Sequence, residues 1–130
     1  MKNLQKEIIR ITSEYFKDEI DYSKLLKATE EYKFILNKLT EEKLDDEEGI
    51  NDLYYENGKA ISTYYAALCL DDLIRTRKFI RGIDKAILEK SKKKTIHILY
   101  AGTGPFASLI LPFIYRYTKE DIKYTLLEVF

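Results

Sequence analysis

The stretch Thr95-Ile-His-Ile-Leu-Tyr-Ala-Gly-Thr-Gly-Pro105 decides the fold. Thr95 to Ala101 is a short, nearly continuous apolar run, the pattern of a buried parallel strand. Ala101-Gly102-Thr103-Gly104-Pro105 reads as a tight loop, because glycine accepts positive φ and lets backbone come close to a ligand. Phe106 to Tyr117 reads as a helix. Pro105 suits its first position, where a missing N–H costs little. Pro112, about two turns in, predicts a kink. Thr118 to Asp121 is polar, and Ile122 to Val129 reads as a second strand. Such a strand–helix–strand unit is right-handed by default.

Upstream the composition changes. Residues 1–90 contain no proline and read as helix, whereas both prolines and two of the five glycines fall in 95–130. Leu4, Ile8, Ile11, Tyr15 and Phe16 recur at helical spacing and predict a first helix over Lys2 to Ile20. Leu25, Ala28, Tyr32, Ile35 and Leu39 predict a second over Tyr22 to Leu39, started by Asp21 or Ser23 as cap. Glu41 to Gly49 is acidic and reads as a solvated turn. A third segment, Ile50 to Tyr55, ends at the breaker pair Asn57-Gly58. A fourth helical run extends from Lys59 to Phe79 and on towards Leu88, with Gly82 as a place to bend or divide it. The basic run Lys90, Lys92, Lys93, Lys94 suits the negative end of that helix's dipole; a solvated helix end and an anion contact both fit it. The expected fold class is therefore α/β and mostly helical: a helical region over 1–90, then an incomplete β-α-β unit over 91–130.

At 130 residues the chain has the length of one ordinary domain, and an apolar fraction of 45% suffices for a core. Its 22 basic and 22 acidic side chains balance, so no overall field attracts nucleic acid or an anionic membrane. No apolar run approaches the ~20 residues that span a bilayer. Met1 to Arg10 lacks the apolar core of a signal peptide. The single Cys69 forms no internal disulfide and fits a reducing cytoplasm.

The chemistry concentrates in the loop. In an open α/β sheet a cofactor lies beyond the carboxyl ends of the strands, where Gly102 and Gly104 sit. A helix starting at the loop would direct its N-terminal N–H groups there. Glu128, at the end of the second strand, is placed to accept hydrogen bonds from both hydroxyls of a ribose. A turn that uses glycine for geometry alone is the other reading. Gly102-x-Gly104-x-x-Ala107 also satisfies the dinucleotide fingerprint, whose acid follows about twenty residues on; Glu128 comes somewhat late for it. His97, the only histidine, alternates within a strand and reads as a core or half-buried side chain rather than a catalytic one. Without a second histidine or a cysteine pair, no metal site is indicated. Cys69 reads as packing, and for the acidic clusters of Asp71, Asp72, Glu47 and Glu48 capping and solvation serve at least as well as catalysis. Tyr64 and Tyr65 read as core or as a pair closing over an adenosine. No residue stands out as catalytic.

Ile98-Leu99-Tyr100-Ala101-Gly102-Thr103-Gly104-Pro105 resembles the first motif of class I S-adenosylmethionine-dependent methyltransferases, and Leu126-Leu127-Glu128 resembles the second. Leu70-Asp71-Asp72-Leu73-Ile74-Arg75-Thr76 is similar to the Asp-x-x-Arg-Thr helix that precedes the first motif in protein arginine methyltransferases. The resemblance covers roughly residues 70–130. It departs at Tyr100, where the family usually has an acid, and at Phe106, which replaces the third motif glycine.

The resemblance implies a Rossmann-like fold with S-adenosylmethionine as cofactor. Ala101, Gly102, Thr103 and Gly104 would cradle it, Glu128 would hold its ribose, and Arg75 would grip its methionine carboxylate. A guanidinium fork binds a carboxylate bidentately, so that last role is chemically sound. A complete domain of this family has more strands than the two read here, so the chain is expected to be part of a longer protein and inactive alone. Residues 1–90 would form a cap and cofactor lid. Two strands with open edges invite pairing with another chain, which predicts a homo-oligomer through strand edges unless helices cover both faces and the edges. A non-catalytic helical assembly protein and a fragment of a nicotinamide-dinucleotide-binding protein are the other readings. The methyl acceptor is not specified by these residues.

Overall fold

The computed structural model describes residues 2–40, 50–92 and 94–129. The elements run in the order α1 (Lys2–Thr12), a 3-10 turn (Ser13–Phe16), α2 (Tyr22–Thr40), β1 (Leu53–Tyr55), β2 (Gly58–Ala60), α3 (Thr63–Leu68), a second 3-10 turn (Cys69–Asp71), α4 (Leu73–Lys90), β3 (Ile96–Ala101), α5 (Leu111–Ile114) and β4 (Ile122–Leu127). The chain thus mixes helix and strand, with helix predominant before β3 and two small sheets. The acidic turn read at Glu41 to Gly49, with Glu47 and Glu48, lies outside the described residues, as does Lys93.

The first helix ends sooner than its apolar spacing suggests. The Thr12 hydroxyl donates to the Ile8 carbonyl at 2.7 Å, and the chain tightens into a 3-10 turn before Lys17 turns extended. Three arginines meet the carbonyls left open there. Arg77 donates to Lys17 and Asp18, Arg81 to Phe16 and Lys17, and Arg116 to Ile9. Arg116 also lies 4.2 Å from the centre of the Phe16 ring. These contacts satisfy orphan acceptors and place positive charge near the helix's negative end. At the start of α2, Asp21 accepts from the Lys24 N–H at 3.1 Å.

Leu53–Tyr55, just before Asn57-Gly58, is strand and not helix. β1 and β2 form an antiparallel hairpin with Leu53 opposite Ala60 and Tyr55 opposite Gly58, closed by Glu56-Asn57. Leu-Tyr-Tyr favours a strand, and Gly58 takes a φ of 154° that other residues rarely adopt. Asp52 pins the hairpin by pairing with Lys59 at 2.9 Å and accepting from the Ser62 N–H at 2.8 Å. The expected helix from Lys59 to Phe79 is likewise broken up. Ser62 caps α3 by accepting from the Tyr65 N–H, and Asp72 caps α4 by accepting from the Arg75 N–H at 3.0 Å. Gly82 does not divide α4, which runs unbroken from Leu73 to Lys90.

β3 and β4 pair in parallel, Ile96 opposite Ile122 through Ala101 opposite Leu127. Only one face of the pair is covered. Ile96, Ile98, Ile122 and Tyr124 pack on the core, while His97, Leu99, Thr125 and Leu127 are exposed on the other face. The near-continuous apolar run therefore does not mark a strand buried on both faces, and helices do not cover both sides. Neither strand has a further neighbour among the described residues.

The connection from β3 to β4 also departs from expectation. Phe106 to Tyr117 is not a helix; only Leu111–Ile114 is. Gly104 and Ala107 have φ of 63° and 46°, and such left-handed residues cannot sit in a right-handed helix. Pro112 then occupies the second helical position, where its missing N–H is tolerated, so it starts a short helix instead of kinking a long one. Phe106 is buried at the core edge.

One apolar cluster joins the helical region to the crossover. It includes Ile8, Tyr15, Tyr32, Ile80, Ile87, Phe106, Phe113 and Ile122. Tyr15 and Tyr32 meet edge to face at 6.3 Å, and Phe16 meets Phe113 at 5.6 Å. Phe113 is fully buried at the junction, so Phe113→Ala would cost about 3–5 kcal/mol.

Candidate functional site

Arg75, Ala101, Gly102, Thr103, Gly104 and Glu128 all line one cavity of about 450 Å³. That volume lies in the range of small-molecule sites. Three parts of the chain converge there. The β3–α5 loop and the end of β4 form one wall. The 3-10 turn and first turn of α4 form a second, with Cys69, Leu70, Arg75 and Thr76. The exit of the hairpin and the start of α3 form a third, with Ala60, Ile61, Thr63 and Ala66.

The loop conformation explains its composition. Gly102 and Gly104 have φ of 70° and 63°, where a side chain is strained. At Gly104 space is short as well, since an added Cβ would lie 3.3 Å from the Ala66 Cβ on α3. The Gly102 N–H donates to the Leu127 carbonyl at 2.8 Å and carries the parallel ladder one residue past β3.

Glu128 closes over this loop. Its Oε2 accepts from the Gly104 N–H at 2.6 Å and lies 3.5 Å from the Thr103 hydroxyl. Its Oε1 accepts from the Val129 N–H at 2.8 Å. An ionised carboxylate offers about four acceptor positions, so two short bonds leave capacity for hydroxyl donors.

Arg75 approaches from another wall. It is exposed, its guanidinium stacks 5.0 Å from the centre of the Phe79 ring, and it forms no ion pair among the described residues. Its backbone is fixed by the Asp72 cap. Tyr100 stands in the field of both Arg75 and Glu128. Burial holds its hydroxyl above the ordinary range, against the pull of the Arg75 charge. The cavity therefore offers a cationic fork, a carboxylate, a phenol and apolar surface, which together suit a ligand with a carboxylate and hydroxyl groups.

Several residues take other places than their sequence context suggests. Cys69 is half-buried on the cavity wall, with its thiol 3.6 Å from the Tyr65 carbonyl. His97 is exposed on the outer sheet face, hydrogen-bonded to the Thr125 hydroxyl at 2.7 Å, and does not line the cavity. Tyr64 and Tyr65 pack edge to face on each other at 5.4 Å, and Tyr65 is exposed; neither lines the cavity nor joins the core. Asp71 pairs with Lys33 at 2.6 Å. Sequence reading missed the hairpin exit and Ser108 as parts of the wall, because only the fold brings Ala60, Ile61 and Ser108 to the loop.

Among the described residues no group of His, Cys, Asp and Glu could hold a metal ion, and no helix is long and apolar enough to cross a membrane. Comparison with protein-family models, with curated proteins and with solved structures returns no match for this chain.

Proposed function

We propose that this chain is the S-adenosylmethionine-binding portion of a class I methyltransferase, acting in the cytoplasm, where Cys69 stays a free thiol. The observation that supports it is the convergence of Arg75, the Gly102–Gly104 loop and Glu128 on one cavity from three separate stretches of sequence. Arg75, which makes no ion pair among the described residues, would take the cofactor's carboxylate with its guanidinium fork. Glu128 would accept from the ribose hydroxyls with its remaining lone pairs. The bound cofactor would supply an electrophilic methyl group, and the protein's part would be to hold it in line with an acceptor.

The exposed sheet face, with Leu99 and Leu127 beside strand edges that no other described strand pairs, supports a second element of the reading. This face would receive further polypeptide, either more of the same protein or a second copy, and the 130-residue chain alone would not turn over substrate.

Calorimetric titration with S-adenosylhomocysteine and with NAD tests the assignment. Binding of the first, lost in Arg75→Ala and in Glu128→Ala, is the expected result. Binding of NAD alone would replace it with the dinucleotide reading, and binding of neither would favour a helical assembly protein. Light scattering tests the edge: a monomer at all concentrations counts against pairing between copies.

A further inference from the structure

We infer that the cavity takes a nucleoside that carries no phosphate at the glycine loop, and that Glu128 is the residue that excludes phosphate. This rests on the reading of the cavity as a nucleoside site, but not on which nucleoside cofactor occupies it. Loops of this kind hold a pyrophosphate through their backbone N–H groups and the helix that follows. Here the two glycine N–H groups are already engaged and the helix is missing. The Gly102 N–H is spent on the Leu127 carbonyl, and the Gly104 N–H on the Glu128 carboxylate at 2.6 Å. No helix begins at the loop; the first helical residue is Leu111, and the Gly104 and Ala107 dihedrals prevent an earlier start. A phosphate at Gly104 would have to displace a carboxylate or lie beside one, and like charges at contact repel. A ribose hydroxyl meets the opposite situation, since the same carboxylate accepts its hydrogen. Glu128 thus selects by charge: it welcomes neutral hydroxyls and turns away a nucleoside diphosphate or a dinucleotide.

The test titrates the chain with adenosine, adenosine diphosphate and S-adenosylhomocysteine in magnesium-free buffer. Adenosine should bind at least ~10-fold tighter than its diphosphate. In Glu128→Gln the amide oxygen can accept from Gly104 while the charge and the Val129 bond are lost, so the gap should shrink to about threefold or less. If that variant fails to fold, the wild-type chain supplies the same readout. The gap should narrow between low and high salt, as screening weakens the repulsion. Equal or tighter binding of the diphosphate overturns the inference, as does a gap unmoved by both the variant and salt, or no binding of adenosine at all. If adenosine binds over its diphosphate while S-adenosylhomocysteine does not bind, the methyltransferase reading falls and this one stands. If S-adenosylhomocysteine binds and the diphosphate matches adenosine, the reverse holds.

Discussion

The hydroxyl of Tyr32 donates to the carbonyl oxygen of Ser108 at 2.8 Å, across a sequence separation of 76 residues. Tyr32 is fully buried on α2, and Ser108 lines the cavity. The helical region therefore holds the wall of the candidate site directly. Tyr32→Phe keeps the ring and removes the bond. It should cost about 1 kcal/mol and lower the thermal midpoint by roughly 3–5 °C. Ligand affinity should fall with it. Scanning calorimetry and titration of the same variant check both effects; an unchanged midpoint would show that the bond carries no net stability.

Gly102 and Gly104 should differ in their tolerance of alanine. Each substitution pays the left-handed strain of about 1–2 kcal/mol. Gly104→Ala adds a methyl 3.3 Å from Ala66, whereas at Gly102 the space is open. Gly104→Ala should therefore be the more destabilising, and Ala66→Gly should recover the excess in the double variant but not the shared strain. Denaturant unfolding of the four proteins forms the cycle that measures this coupling.

Cys69 is a built-in reporter of the cavity. As the only cysteine it takes one equivalent of a maleimide. With ligand at about ten times its Kd, labelling should slow about tenfold, in step with the free fraction. Mass spectrometry over time gives the rate. Labelling at the same rate under saturating S-adenosylhomocysteine would place that ligand away from this wall.

The core tyrosines set an alkaline limit. Burial pushes the Tyr15 hydroxyl up to about 12 from its ordinary value near 10. The folded chain then holds a proton that the unfolded chain releases first. This stability is complete below pH ~10 and is lost as pH rises towards ~12, by roughly 2–3 kcal/mol. Tyr15→Phe should flatten that decline, because the Thr29 hydroxyl still donates to the Leu25 carbonyl at 2.9 Å. Circular dichroism against pH compares the two.

How much of this was legible depended on whether a pattern had one physical solution. The apolar stripe of Leu25, Ala28, Tyr32 and Ile35 admits only a helix, and α2 is one. The runs around Ile98 and Tyr124 gave two strands, paired in parallel. The stretch from Ile50 to Ala60 had too few residues to show a period, and Asn57-Gly58 marks a hairpin turn as readily as a helix stop. Phe106 to Tyr117 had helical apolar spacing, but spacing does not reveal that Gly104 and Ala107 take positive φ. For the cavity, the loop and Glu128 followed from the strand–loop–strand pattern and Arg75 from the family resemblance, and all of them line it. Ser108, Ile61 and Cys69 followed from neither, because an ordinary side chain becomes a wall only through what folds against it.

The arginine contacts at the end of α1 bear on how the molecule assembles during synthesis. Arg116 reaches back to Ile9 and Thr12, over more than a hundred residues. Arg77 and Arg81 reach back to Lys17 and Asp18 over about sixty. As the chain leaves the ribosome, the first helix can form early and meet α2, but the arginine donors to its C-terminal carbonyls arrive only with α4 and the crossover. Folding of α1 thus waits for residues more than a hundred positions further along the chain, and a truncation before Arg116 would leave α1 without that anchor.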